Sequence, residues 1–146
     1  MLNPTSIAVV GATERPQYGG RFIRSVLQAQ DKIKIFPVNP RYQNLLGIKC
    51  YPSLLDLPES PDLVGIIIPY DGVLSVLQES AKIGAGSAII VSAGFSERGN
   101  AQRSGLQMEI KNFALKSGVR VCGPNCLGVA NVKSGIWPSA APPDAR

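Results

Sequence analysis

Five short runs of apolar residues punctuate the chain: Ser6–Val10, Lys34–Val38, Leu63–Ile68, Ser87–Val91 and Val119–Cys122. Each is nearly continuous in hydrophobicity and rich in Val and Ile, the pattern of strands buried on both faces of a parallel sheet rather than the alternation of a half-exposed antiparallel one. Between them, apolar positions recur at helical spacing: Phe22, Ile23, Val26 and Leu27; then Val73, Leu74, Val76, Leu77 and Ala81; then Leu106, Ile110, Phe113 and Ala114. Each set forms one stripe on a helix. Asp71 stands where an N-cap is expected for the second helix, and Gly84 and Gly118 stand where helices commonly end. From Asn39 to Asp62, prolines 40, 52, 58 and 61 and Gly47 predict loop, with one helical turn over Ser53–Leu57. After Gly128 one more short strand, Val129–Val132, is expected. The Ser/Pro/Ala-rich end then reads as a linker.

Alternating strand and helix over one domain length predicts an α/β fold, a Rossmann-like doubly wound parallel sheet. The expected organisation is a single domain over 1–132 followed by a linker-like tail over 133–146. Sheets of this kind bind ligands at the carboxyl ends of their strands, so the loops after the strands are where chemistry is sought.

Composition narrows that chemistry. The 146 residues are 45% hydrophobic and 17% charged, enough for one core, with no apolar run of the roughly 20 residues that span a bilayer. No membrane partner is expected, and Met1–Ser6 resembles no export signal, so a cytoplasmic setting is expected. Cys50, Cys122 and Cys126 are too few for a disulfide scaffold, and without histidine they fall short of a zinc site, so no metal is expected. The absence of histidine also removes the commonest general base and any phosphohistidine relay within this chain. No catalytic residue is therefore assigned. The net charge of +5 favours an anionic partner. Since Lys and Arg are not clustered with aromatics, a compact phosphorylated ligand suits the chain better than nucleic acid.

The first loop, Gly11–Gly20, lies between a strand and a helix, the position in which backbone N–H groups and the helix dipole meet a phosphate. Gly11 and Gly20 allow close approach, Thr13 offers a hydroxyl, and Arg15 or Arg21 a cation. The same loop also reads as a plain glycine-bounded turn. It lacks the second glycine of Gly-x-Gly-x-x-Gly, and the second strand ends at Asn39 and Arg41 rather than at the acid that binds the ribose of NAD. Arg41 suits a ribose phosphate, although Asn39-Pro40 with a solvated Arg41 is an equally good turn. Pro69 stiffens the loop after the third strand. Ser92, Ala93 and Gly94 form a small-residue turn beside Phe95, itself a cover for a ligand or part of the core. Asn125 sits in the turn after the fifth strand.

Together these blocks resemble a known family. Ile7-Ala-Val-Val-Gly-Ala-Thr13 with Gly19-Gly20, Phe36-Pro-Val-Asn-Pro40, Leu46-Gly-Ile-Lys-Cys-Tyr-Pro-Ser53, Ser92-Ala-Gly-Phe-Ser-Glu97 and Val121-Cys-Gly-Pro-Asn-Cys-Leu-Gly128 are similar to the CoA-binding domain shared by the succinyl-CoA synthetase α subunit, NDP-forming acyl-CoA synthetases and related lysine acetyltransferases. The resemblance spans about residues 6–132. It implies coenzyme A as cofactor, with the Thr13–Pro16 loop at its phosphates and Asn39 and Arg41 near the 3′-phosphate and adenosine. Arg41 replaces the family's usual lysine, keeping the charge but not the geometry. Pro69 and Ser92–Gly94 would line the pantetheine and adenine path, and Asn125 with Cys126 the thiol end. The implied partners are CoA or acyl-CoA, a second domain carrying a phosphohistidine, and an ATP-grasp domain or subunit. Two other readings stand beside it: a stand-alone CoA or acyl-CoA sensor, and an NAD(P)-binding domain.

Overall fold

The computed structural model describes residues 1–141. A five-stranded parallel sheet runs in the order β2-β1-β5-β6-β7, built from β1 (Ser6–Val10), β2 (Lys34–Val38), β5 (Leu63–Ile66), β6 (Ser87–Ile90) and β7 (Arg120–Cys122). A two-stranded antiparallel hairpin, β3 (Asn44–Leu45) and β4 (Ile48–Lys49), lies apart from it. Three helices complete the fold: α1 (Tyr18–Leu27), α2 (Val73–Lys82) and α3 (Ala101–Ser117). Every residue of β1, β5 and β6 is buried, as expected of central strands covered on both sides.

The expected α/β, Rossmann-like sheet is therefore present. One face packs Ala8, Val10, Val64, Ile66, Ala88 and Ile90 against Val73, Val76 and Leu77 of α2 and Ile110 of α3. The other packs Ile7, Val9 and Ile89 against Phe22, Ile23 and Val26 of α1. Pro37 is tolerated because β2 is the outermost strand, held on its free side only by a bridge from Val38 to Tyr51. Chain order along the sheet reverses between β1 and β5, which makes the carboxyl ends of those two strands the topological switch point.

Several local expectations give way. Asp71 does not cap α2, because Tyr70–Gly72 form a tight turn first and Gly72 takes the N-cap position without a side-chain bond. The cap that does form is on α3, where the Asn100 carboxamide oxygen accepts from the N–H groups of Gln102 and Arg103. The loop-rich stretch contains the β3–β4 hairpin, turned through Leu46 and Gly47 at positive φ. Val129–Val132 forms no strand; single bridges join Gly128 to Ser139 and Asn131 to Ile136. The segment read as a linker folds back instead, as far as it is described: Ile136, Ser139 and Ala140 are buried, and Ser25 Oγ donates to the Trp137 carbonyl at 2.7 Å. Residues 142–146 of that tail lie outside the described residues.

Candidate functional site

At the switch point the first loop leaves β1 through Gly11, at φ +86°, whose N–H donates to the Val38 carbonyl at 3.0 Å. A Cβ on Gly11 would run into the carbonyl of Ile67, so the loop can pass this close to the end of β5 only as glycine. Gly19 and Gly20 are held in the same way, since a Cβ would meet the carbonyls of Gly11 and Arg15 respectively. Arg24 donates to the carbonyls of Gly20 and Glu14, fixing the loop from below.

This close packing gives α1 an unusual start. Its N-cap, Gln17, makes no side-chain cap bond, and the first turn contains no acidic residue. The N–H groups of the first turn have no intrahelical acceptor, and the positive end of the helix dipole is unneutralised. Gln17 and Gly19 both line the hollow in front of it.

That hollow is the middle of a cleft with two arms. One, of about 530 Å³, is bounded by Thr13, Arg15, Asn39, Arg41, Tyr42 and Pro52. The other, of about 420 Å³, is bounded by Tyr18, Val91, Ser92, Ala93, Asn125, Cys126 and Leu127. Gly11, Thr13, Ile67, Ile68 and Pro69 border both, so the arms are continuous. The first arm carries two guanidinium groups and the second carries no charged side chain. Glu79 also borders the first arm, but Lys34–Glu59 is the one ion pair among the described residues, so neither Arg15 nor Arg41 is in salt-bridge contact with a carboxylate.

Nine of the eleven residues expected at the site border this cleft: Gly11, Thr13, Arg15, Asn39, Arg41, Pro69, Ser92, Ala93 and Asn125. Three of the nine have their side chains engaged within the protein. Thr13 Oγ1 accepts from the Arg15 N–H at 3.3 Å and pairs with the Tyr42 hydroxyl. Asn39 donates from its amide nitrogen to the Ala12 carbonyl at 2.8 Å and accepts from the Arg41 N–H at 3.0 Å, tying the end of β2 to the first loop. Ser92 Oγ accepts from the Ile68 N–H at 3.2 Å and donates to the Ile66 carbonyl at 3.3 Å, tying β6 to β5. Asn39 and Ser92 shape the cleft rather than offering it a free polar group.

Gly20 and Gly94 do not border it. Gly20 lies beneath the first loop, and Gly94 faces a separate hollow with Tyr70, Arg98, Asn100 and Arg103. There Arg103 stacks on the Tyr70 ring, 3.3 Å from its centroid, and donates to the Gly94 carbonyl at 2.7 Å. The Glu97 carboxylate accepts from the N–H groups of Gly94 and Phe95, which holds its pKa below the ordinary value, chiefly through the Gly94 bond. Phe95 is fully buried and is part of the core, so it covers no ligand.

Sequence reasoning missed Gln17, Tyr18, Tyr42 and Leu127. Tyr42, whose hydroxyl lies 3.2 Å from Thr13 Oγ1, reaches the cleft from across the β2 turn, a contact no local pattern encodes. Tyr18 was legible as the residue just before the paired glycines.

Another hollow, about 750 Å³, lies between α3 and β7, lined by groups such as Met108, Ile110, Leu115 and Val121. Gly123 brings backbone close there too, but α3, the helix beside it, has its N-terminus capped by Asn100. The switch-point cleft is the better candidate, although each of its arms is smaller.

A family model described as CoA binding domain matches residues 5–132. The ADP-forming acetate–CoA ligase of Methanocaldococcus jannaschii is 41% identical over 128 residues, covering 88% of this chain but 18% of the relative. The acetyl-coenzyme A synthetase 1 of Ca. Korarchaeum cryptofilum, solved with phosphate and ADP, superposes with a TM-score of 0.89 at 36% identity, over 99% of this chain and 31% of that one. A conserved hypothetical protein from Pyrococcus furiosus is similar at 27% identity and a TM-score of 0.65, covering 83% of this chain and 94% of that protein. The chain thus spans about a fifth of the first relative and nearly the whole of the last.

Proposed function

The chain belongs to the CoA binding domain family, and from that premise we propose that it holds coenzyme A in the switch-point cleft and orients the thiol for an acid–CoA ligase of the ADP-forming kind. A phosphohistidine domain and an ATP-grasp module outside these 146 residues supply the activated acyl group. Binding and orientation are this chain's contribution, because it has no histidine and no assigned catalytic group.

The observation that carries this reading is the division of the cleft. CoA is a polyanion at one end and a long neutral arm at the other. The arm of the cleft containing Arg15, Arg41 and the open N-terminus of α1 suits the phosphates, and the uncharged arm past Pro69, Ser92 and Ala93 suits the pantetheine. Asn125 and Cys126 then stand at the thiol end. The absence of an acid at the end of β2 disfavours NAD. The full-length match to a small Pyrococcus protein supports a second reading, a CoA- or acyl-CoA-binding protein working alone.

Titration calorimetry with CoA, dephospho-CoA and NAD tests the assignment. CoA is expected to bind, dephospho-CoA to bind more weakly, and Arg15→Ala and Arg41→Ala each to weaken CoA by about 1–3 kcal/mol, the range of a charge-assisted hydrogen bond. Unchanged affinity in both variants overturns the phosphate assignment, and binding of NAD alone overturns the ligand.

A further inference from the structure

Two of the three cysteines meet at the neutral end of the cleft. Cys122 closes β7 and Cys126 follows a three-residue turn, which is tied to β6 by the Asn125 N–H donating to the Ser92 carbonyl at 3.0 Å and the Cys126 N–H to the Ile90 carbonyl at 3.2 Å. The result is a Sγ–Sγ separation of 3.5 Å between two free, half-buried thiols. Their surroundings differ. Both pack on the core, but Cys126 also lines the cleft wall beside Asn125 and Ala93, whereas Cys122 does not border the cleft. Cys50, the third, is buried against the Asn39 carbonyl, 3.6 Å from its sulfur, and has no thiol partner.

An outer thiol facing a ligand cleft with an inner thiol touching it is the arrangement of an attacking and a resolving cysteine. We propose that Cys122 and Cys126 form a dithiol that reduces the disulfide of a ligand thiol held in the cleft, the symmetrical disulfide of CoA. The substrate identity rests on the CoA reading above. The Cys126 thiolate attacks one sulfur of CoA–S–S–CoA, the disulfide bond breaks, and one CoA thiolate leaves. The Cys122 thiolate then attacks Cys126 Sγ in the mixed disulfide, forming the Cys122–Cys126 bond and releasing the second CoA thiolate. The two protons lost by the cysteines are taken up by the two departing thiolates. The dithiol gives up two electrons and the CoA disulfide gains them.

Closure asks little of the fold, because the sulfurs are already in contact, with Cys122 held in the β6 ladder and Cys126 by its N–H bond to the Ile90 carbonyl. Burial, followed by the neighbouring Cys126 thiol, pushes the Cys122 thiol above its ordinary pKa. Formation of the mixed disulfide removes the second of these causes, the Cys126 S–H, and leaves the first.

The test incubates the fully reduced chain with CoA disulfide without air, quenches with acid, alkylates and maps the cysteines by mass. The expected product has Cys122 bridged to Cys126, Cys50 free, and two CoA thiols released per chain, formed roughly tenfold or more faster than with oxidised glutathione, a preference of about 1.4 kcal/mol. Cys122→Ser is expected to stop at a CoA adduct on Cys126, and Cys126→Ser to give neither adduct nor bridge. A stable CoA adduct on wild-type Cys126 overturns the dithiol while leaving the CoA reading intact. Equal rates with both disulfides, together with no calorimetric binding of CoA, overturn the substrate along with the CoA reading.

Discussion

The helices on the two flanks of the sheet are packed to different standards. Helix α1 buries six of its ten residues, two of them glycines whose absent side chains let the helix start press against the loop carbonyls. Helix α3 buries one of its seventeen, Ile110, and leaves Met108 and Leu115 exposed beside the end strand β7. The tight flank is the one that forms the cleft. A phosphate site made from backbone N–H groups must bring backbone close to ligand, and only a loop without side chains at its contacts can do that. The loose flank borders another hollow, beside a helix whose N-terminus is capped by Asn100. The closest packing and the uncapped helix start thus coincide on the flank that carries the cleft.

The sharpest way to break that contrast is to add one carbon to the tight flank. Gly11→Ala places a Cβ against the Ile67 carbonyl at a residue whose φ is +86°. Left-handed strain of about 1–2 kcal/mol and overpacking of about 1–3 kcal/mol together predict a loss of about 2–5 kcal/mol in stability, together with loss of ligand binding. Urea unfolding measures the first and calorimetry the second. A variant with wild-type midpoint and affinity would show that the loop does not need its close approach to β5.

The same contrast explains how much was legible in the sequence. Strands β1 and β2 begin and end where their apolar runs do, because Gly11 and the Asn39-Pro40 turn stop them sharply. The third apolar run continues through Ile68, but the strand ends at Ile66; the Ile67 N–H still donates to the Val10 carbonyl at 2.9 Å, and Ile67 and Ile68 pack half-buried on the core while bordering the cleft. Most expected site residues border the cleft because glycine, proline and strand-end positions are fixed by chain geometry. Which of them face a ligand with free polar atoms was not legible, since the acceptor of the Asn39 amide and the partners of Ser92 lie 27 and 24 to 26 residues away. The linker expectation shows the same limit from the other side. A run of Ser, Pro and Ala reads as a linker in solvent, but small residues also suit a strap laid over a sheet face, and the bond from Ser25 to Trp137 spans 112 residues.

A smaller effect is expected at the foot of the tight flank. There the Asp62 carboxylate accepts from the Thr5 N–H and hydroxyl, both at 2.7 Å, which ties the entrances of β1 and β5 together. These bonds, led by the Thr5 N–H, hold the Asp62 pKa below its ordinary value. A carboxylate whose pKa is depressed in the folded state adds stability above its unfolded pKa, near 3.9, and loses it as pH falls through the folded value. The residue is largely exposed, so solvent screening limits the contribution. Asp62→Asn is expected to cost about 0.5–1 kcal/mol at neutral pH and progressively less in acid. Wild type and variant should converge in urea midpoint as pH drops below 4; parallel curves down to pH 2 would show that the pairing does not depend on the charge.

The loose flank supplies the smallest effect and the opposite sign. Gly105 lies inside α3, exposed, with nothing within 4 Å of where a Cβ would stand. It serves no close approach, and its cost is the backbone freedom that glycine loses on entering a helix. Gly105→Ala should therefore stabilise the chain by about 0.5–1 kcal/mol, visible as a raised urea midpoint with unchanged slope and unchanged CoA affinity. The same added methyl group that disrupts the cleft at Gly11 would then strengthen the protein at Gly105, because one glycine is held against backbone and the other against water. A lowered midpoint for Gly105→Ala would mean that α3 is not free on its outer face, and the distinction between a packed functional flank and an open one would fail.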